Sequence, residues 1–301
     1  MNYGQLRNNQ NWNIGFCAVT PEELVARRAL PEIHWLRHSF TDRFFADPFI
    51  LSSDSSHIRV LVEEMEFFRK GVVSLLVVDR LTYRLVDRKV ILDKDTHLSY
   101  PAIFRKDDDT VYIYPENYQS GQLTMYQLDP ATGALHRVSC MASLPLTDAT
   151  VIKGDDGKYY MVSTLSSSSR SGAYLYVSDD LEDGYVPAAA APVVTGADRS
   201  RCGGNFFNAG GKLYRPAQNC KVRYGSALKV MEVTECGDGR YSEREAFELR
   251  PSTWKYNLGL HTLNFSPDRQ MAVIDSYGYL YPLAGRMLEA MSQFKHRIME
   301  R

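Results

Sequence analysis

The chain has 301 residues, 44% hydrophobic and 12% aromatic, a balance that suits a packed β protein whether it forms one long closed domain or two ordinary ones. Its 35 Lys and Arg stand against 36 Asp and Glu, and a net charge of −1 excludes the basic face of a general nucleic-acid binder. No stretch approaches the roughly 20 apolar residues that cross a bilayer, so no transmembrane segment is expected.

In chain order, the polar segment Met1 to Asn13 lacks the apolar core of a secretory signal. A strand over 12–19 follows, then a helix near Pro21 to Arg28, with Thr20 as N-cap and Pro21 at the first helical position. Five β-rich units come next: Trp35 to Leu92, His97 to Ala142, Thr147 to Val193, Arg199 to Leu249, and Leu258 to Pro282. Asp107-Asp108-Asp109, Asp155-Asp156-Gly157, Ala209-Gly210-Gly211 and Pro267-Asp268 mark hairpin turns inside them. The fifth unit is the shortest, and the strand over 12–19 is assigned to complete it. From Ala284 the period changes: Met287, Met291, Phe294 and Ile298 share one helical face, which predicts a C-terminal amphipathic helix over 284–301. That helix docks on the body, or its Arg286, Lys295, His296, Arg297 and Arg301 turn it toward a partner or a membrane surface.

Each unit opens with an apolar strand carrying a special residue, and a second strand closes with another some fifteen residues later. From Asp47 through Tyr100, Asp148 and Gly203 to His261, successive openings lie 53, 48, 55 and 58 residues apart. Such spacing is how propeller blades read in sequence, and it predicts an all-β, five-bladed β-propeller over 1–283. In an antiparallel pair the start of one strand and the end of the next share an edge, so openings and closings converge on one rim of the central channel. The residues gathered there are Asp47, Glu63 or Glu64, Glu116, Asp148, Gln218, Asn219, His261 and Asp275, with Arg201 and Arg215 beside them. A funnel of carboxylates, amides, a His and Arg looks like a carbohydrate site.

Within that set, Asp47 and Asp148 face each other as a base and a neighbour that tunes its pKa. Glycosyl transfer also needs a proton donor, and Glu64 or Glu116 is placed to supply it. Glu63 and Glu64 alternate faces of one strand, so only one looks inward. Arg201 and Arg215 fit an anionic group through their planar forks. His97 and Tyr100, at the opening of the second blade, join His261, Asp275, Gln218 and Asn219 as binding residues. Five cysteines without CxxC spacing indicate neither a zinc site nor a disulfide framework. No phosphate loop or dinucleotide fingerprint is present. A cytoplasmic protein without metal or cofactor is the expectation.

Asp47-Pro48 opening blade one and Asp148 opening blade three resemble five-bladed furanosidase propellers: arabinanases, xylosidases, invertases and levansucrases. The likeness is closer to one branch. Phe45-Ala46-Asp47-Pro48-Phe49, Glu63-Glu64, His97-Leu98-Ser99-Tyr100-Pro101, Tyr114-Pro115-Glu116, Asp148-Ala149-Thr150, Tyr214 to Asn219, Tyr224-Gly225 and His261-Thr262-Leu263 resemble the N-terminal propeller of glucosamine inositolphosphorylceramide transferases and its stand-alone bacterial relatives. The resemblance runs from about Trp12 to Asp275. It implies that Asp47 is base or nucleophile and Asp148 a transition-state stabiliser or pKa modulator. The furanosidases place their general acid, a Glu, at the opening of blade four, where this chain reads Arg201-Cys202-Gly203-Gly204-Asn205. The functions implied are glycosyl transfer in surface-polysaccharide or glycolipid synthesis, from a sugar or phosphosugar to a glycan acceptor. Furanosidase-like hydrolysis and non-catalytic glycan binding are the alternatives.

Overall fold

The computed structural model describes residues 10–106, 108–287 and Met291. The chain begins with β1 (Gln10–Cys17), α1 (Pro21–Arg27) and the short β2 (His34–Trp35). Blade one is β3 (Arg43–Ser53), β4 (His57–Glu66), β5 (Gly71–Asp79) and β6 (Leu85–Leu92), and blade two is β7 (Ser99–Arg105), β8 (Val111–Glu116), β9 (Leu123–Leu128) and β10 (Leu135–Ala142). Blade three runs through β11 (Leu146–Lys153), β12 (Tyr159–Leu165), β13 (Gly172–Ser178) and β14 (Val186–Pro187), with β15 (Val194–Thr195) also on β13. Blade four is β16 (Phe207–Ala209), β17 (Lys212–Asn219), β18 (Ala227–Gly237) and β19 (Arg240–Leu249). Blade five holds β20 (Leu263–Phe265) and β21 (Ala272–Tyr279), and β1 and β2 complete it. The protein is a five-bladed β-propeller.

Closure comes from β1, which pairs with β21 from Gln10↔Tyr279 to Cys17↔Ala272. Joining the two ends of the chain in one sheet closes the ring of blades, while each blade keeps its own inner and outer edge strands. Burial explains the strand order within a blade. Inner strands are apolar on both faces because neighbouring blades press on them: Ser99–Ile103 of β7 and all of β8 are buried. On the outermost strand of blade one, β6, no residue is buried. The core lies between blades, in one cluster around Phe49, Tyr100, Tyr114 and Met161, a second around Phe207, Leu228 and Leu263, and a third around Phe16, Val60 and Leu76.

Thr20 and Glu23 form a reciprocal capping box at the start of α1, and the helix buries Leu24 in the second cluster. At the C-terminus, residues 282–287 and Met291 are helical, with Leu283, Met287 and Met291 exposed. The rest of the helix expected over 284–301, including Phe294, Lys295, His296, Arg297, Ile298 and Arg301, lies outside the described residues. No helix among the described residues is long and apolar enough to cross a membrane.

Candidate functional site

Three inner strands open on a non-glycine residue in the left-handed region: Asp47 (φ 49°), Tyr100 (φ 42°) and Asp148 (φ 48°). Each sits at a break in register with the next strand, as a bulge that leaves its N–H outside the ladder. Such backbone costs on the order of 1 kcal/mol or more per residue and persists only where its surroundings enforce it. Here carboxylates enforce it. Asp275 Oδ2 accepts from Asp47 N (2.9 Å), Asp47 Oδ2 from Tyr100 N (3.0 Å), and Glu116 Oε2 from Asp148 N (2.9 Å). On blade five, His261 N and Thr262 N both donate to Asp275 Oδ1, at 3.1 and 2.9 Å. Blade four uses Gly204 (φ 138°), where a Cβ would lie 2.0 Å from the Leu263 carbonyl oxygen, and its N–H donates to Tyr100 Oη (2.7 Å). Tyr100 also hydrogen-bonds Thr150 Oγ1 (2.8 Å) and is fully buried. It bolts three blades together inside the channel and does not present its ring at the mouth.

Asp47, Glu63, Glu116, Asp148 and Asp275 are all buried and close enough to interact electrostatically. Burial raises Asp47 to about 6; the His261 charge opposes this, and Asp275 and Asp148 add to it. Burial also lifts Glu63 and Glu116 well above the usual carboxylate range, reinforced by the neighbouring acids. Burial by itself would lower His261, yet Asp275 and Asp47 outweigh it and hold the imidazole above its ordinary value. His261 Nδ1 lies 2.7 Å from Asp275 Oδ2 and Nε2 lies 3.5 Å from Asp47 Oδ1. These three residues bring donor atoms within 4.8 Å, the spacing of a cation site. In this arrangement the His261 ring itself lies between the two acids.

Across the mouth, Arg201 Nε donates to Asp148 Oδ2 (2.5 Å), Nη2 lies 3.6 Å from Glu116, and the guanidinium sits 5.3 Å from the Tyr224 ring centre. Trp12 stacks on His261 at 4.1 Å, with Tyr224 edge-on to the same imidazole at 5.3 Å. Gln218 Nε2 bridges Asp148 Oδ2 (2.9 Å) and the Cys202 carbonyl (2.8 Å).

Glu64, expected as a proton donor, points the other way. Its oxygens take Arg43 (2.6 Å), Arg88 (2.5 Å) and Ser74 (2.7 Å), and despite the desolvation of burial these hydrogen bonds hold it below the usual range. The residue facing the channel is Glu63. Its close partner among the described residues is His97 Nε2 at 3.4 Å. Gly71 N donates to His97 Nδ1 (2.8 Å), which puts the proton of neutral His97 on Nε2, toward Glu63. Gly71 permits this approach, since a Cβ there would lie 2.8 Å from the His97 ring and 2.4 Å from the Leu98 carbonyl oxygen. Glu64→Gln is expected to lower stability by about 1–3 kcal/mol, because two arginines lose their shared anion, while ligand binding at the rim stays unchanged. Denaturant unfolding and a binding titration on the same samples check this.

Arg215, expected to bind an anion, is fully buried beneath the rim. Its fork is bidentate on Glu243 (2.6 and 2.8 Å), and Nη2 also donates to the Arg199 carbonyl (2.7 Å). Asn219 Nδ2 donates to Glu248 (2.7 Å), on the outermost strand of blade four. Sequence reasoning missed Trp12 and Tyr224 as walls of the mouth. An aromatic flanked by polar residues at Asn11-Trp12-Asn13 was the available signal for the first.

Residues 29–257 match the family described as glucosamine inositolphosphorylceramide transferase 1, N-terminal. The chain belongs to that family. Curated relatives include glucosamine inositolphosphorylceramide transferase 1 of Oryza sativa subsp. indica, 26% identical over 68% of this chain, and that of Arabidopsis thaliana, 27% identical over 54%. The match spans only 28% and 22% of those two proteins. Among solved structures, the exo-β-1,3-galactanase of Clostridium thermocellum superposes with a TM-score of 0.54 at 12% identity, covering 75% of this chain and 58% of that one. A GH43_1 enzyme of Xanthomonas citri gives 0.50 at 11% identity, covering 79% and 88%. At such identities these neighbours speak for the fold. The relatives are carbohydrate-related proteins.

Proposed function

We propose that the channel mouth binds a sugar and transfers its glycosyl unit, with Glu63 protonating the departing oxygen and Asp47 activating the incoming hydroxyl. The observation that carries this is Glu63. Glu116 and Asp275 are engaged by backbone N–H groups, and Asp148 by Arg201 and Gln218. Glu63 has only the distant His97 contact among the described residues, so the O–H of its protonated form is free to donate. A protonated carboxyl beside an ionised one is the division of labour that glycosyl transfer requires. Glu63 thereby fills, from blade one, the role that the furanosidases give to a Glu on blade four.

Arg201 and Arg215 are both engaged by carboxylates, and five acids surround the mouth, which favours a neutral sugar over a phosphorylated one. Trp12 and Tyr224 offer ring faces for it. The plant relatives carry names of glycolipid transferases, and we extend that setting, a glycan or glycolipid acceptor, to this chain. All five cysteines are free, which supports a reducing, cytoplasmic compartment.

The test is turnover of chromogenic furanosides and pyranosides across pH. The rate rises through an apparent pKa of about 6 as Asp47 loses its proton, and falls at higher pH as Glu63 loses its own. Binding without turnover at any pH makes the propeller a recognition module. Tighter binding of a sugar phosphate than of its neutral parent overturns the neutral-sugar assignment.

A further inference from the structure

Strand β1 has two faces at the rim end of the molecule. Trp12 faces the channel, against His261. Asn11 and Asn13, its alternating neighbours, face away and line a separate groove of about 850 Å³ with the 32–41 segment and residues 253–256. Five large aromatics line the groove: Trp35, Phe40, Tyr83, Trp254 and Tyr256. Trp35 and Tyr256 lie 4.4 Å apart, and Trp254 is 62% exposed with the Arg286 guanidinium 3.8 Å from its ring centre.

The polar groups of the groove are unevenly satisfied. Asn13 is complete: Nδ2 donates to the Leu36 carbonyl and to Tyr256 Oη, both at 3.0 Å, and Oδ1 accepts from Ile14 N at 3.0 Å. Asn11 is 7% exposed, and its Oδ1 is buried with no hydrogen-bond partner among the described residues. His38 Nδ1 is likewise buried, with no partner among the described residues. A buried acceptor left without a donor costs about 1–3 kcal/mol, so a ligand that brings hydroxyls there recovers that cost.

We infer that this groove is a second carbohydrate site, which takes a neutral saccharide unit on the aromatic platform of Trp35 and Trp254 with hydroxyls on Asn11 Oδ1 and His38. Sugar rings present a C–H face to aromatics and hydroxyls at their edges, and a groove of this size lies within the usual range of small-molecule sites. The inference extends the carbohydrate reading of the rim but does not require the rim to be catalytic.

The chain has three tryptophans, and their placement supplies the assay. In Trp12→Phe, emission comes from Trp35 and Trp254 and reports the groove. With Trp35→Phe and Trp254→Phe together, it comes from Trp12 and reports the rim. The probes are cellotetraose, chitotetraose and β-1,3-galactotetraose, titrated to about 10 mM, beyond the weakest affinity of interest. At least one is expected to give saturable quenching in Trp12→Phe. Adding Asn11→Ala or Trp254→Ala should weaken that binding about tenfold or more, with Tm read on each variant and the 62% exposed Trp254 having the less packing to lose. Adding Asp47→Asn should leave it unchanged. Absence of quenching with every probe overturns the groove site, as does binding indifferent to both Asn11→Ala and Trp254→Ala, or binding lost in Asp47→Asn. The rim reading fails on a different signal, a Trp12 reporter that responds to no saccharide.

Discussion

Glu63→Gln is expected to slow the proposed glycosyl transfer by about 10²–10⁴-fold, the usual worth of a positioned general acid, while making the protein more stable at alkaline pH. Both effects follow from the same burial. The folded state holds Glu63 well above its unfolded value of 4.5. Its contribution to stability is therefore fully present below pH 4.5 and is lost as pH rises toward the folded value. Gln removes that loss, so variant and wild type should melt together near pH 4 and separate above it. Each kcal/mol gained corresponds to about 2–4 °C in a chain of this size. The kinetic half has its own control. An activated leaving group such as dinitrophenolate departs without a proton, so the defect should shrink markedly on a dinitrophenyl glycoside compared with an alkyl glycoside. An equal loss on both substrates would show that Glu63 shapes the site and does not protonate the leaving oxygen. A lower Tm at pH 8 would show that its carboxylate makes a stabilising contact.

The division between what was legible in the chain and what was not follows the range of the interactions. Blade number could be read because each blade repeats an apolar inner strand at near-regular spacing, and in three of the five that strand opens on a bulge, where Asp47, Tyr100 and Asp148 fall in phase. Their left-handed backbone was hidden. An Asp in that conformation is unremarkable, but Tyr100 is there because the Asp47 carboxylate from the neighbouring blade holds its N–H. The facing of Glu63 and Glu64 was not legible either. Alternation says that the two point to opposite faces, but which face is inner depends on Arg43 and Arg88 waiting on the outer one. Arg88 comes from β6, two strands away, and no local pattern announces it. Trp12 is the extreme case, since it reaches His261 only because β1 crosses from one end of the chain to complete the last blade. Tyr224, on the loop between β17 and β18, gains its meaning from Arg201.

Arg215→Ala should cost roughly 3–5 kcal/mol of folding stability, the loss expected when one member of a buried ion pair is removed and the other is left uncompensated. Arg215 is fully buried on β17, and its fork meets Glu243 on β19, whose Oε2 also accepts from Tyr241 Oη (2.6 Å). The group ties the second strand of blade four to its outermost strand across β18. Taking away the guanidinium leaves Glu243 beside Tyr241 with no cation, and also frees the Cys202 sulfur and the Arg199 carbonyl that Nη1 and Nη2 had met. A double replacement separates the pair from the space it fills. Arg215→Met with Glu243→Leu removes both charges at similar volume and should recover most of the loss. Urea unfolding of the three proteins measures this, and sugar and sugar-phosphate titrations of the folded double variant complete the comparison. Unchanged affinities with restored stability assign Arg215 to the framework. A single variant that unfolds like the wild type yet binds sugar phosphate tenfold more weakly would return Arg215 to the binding site, and with it the anionic sugar.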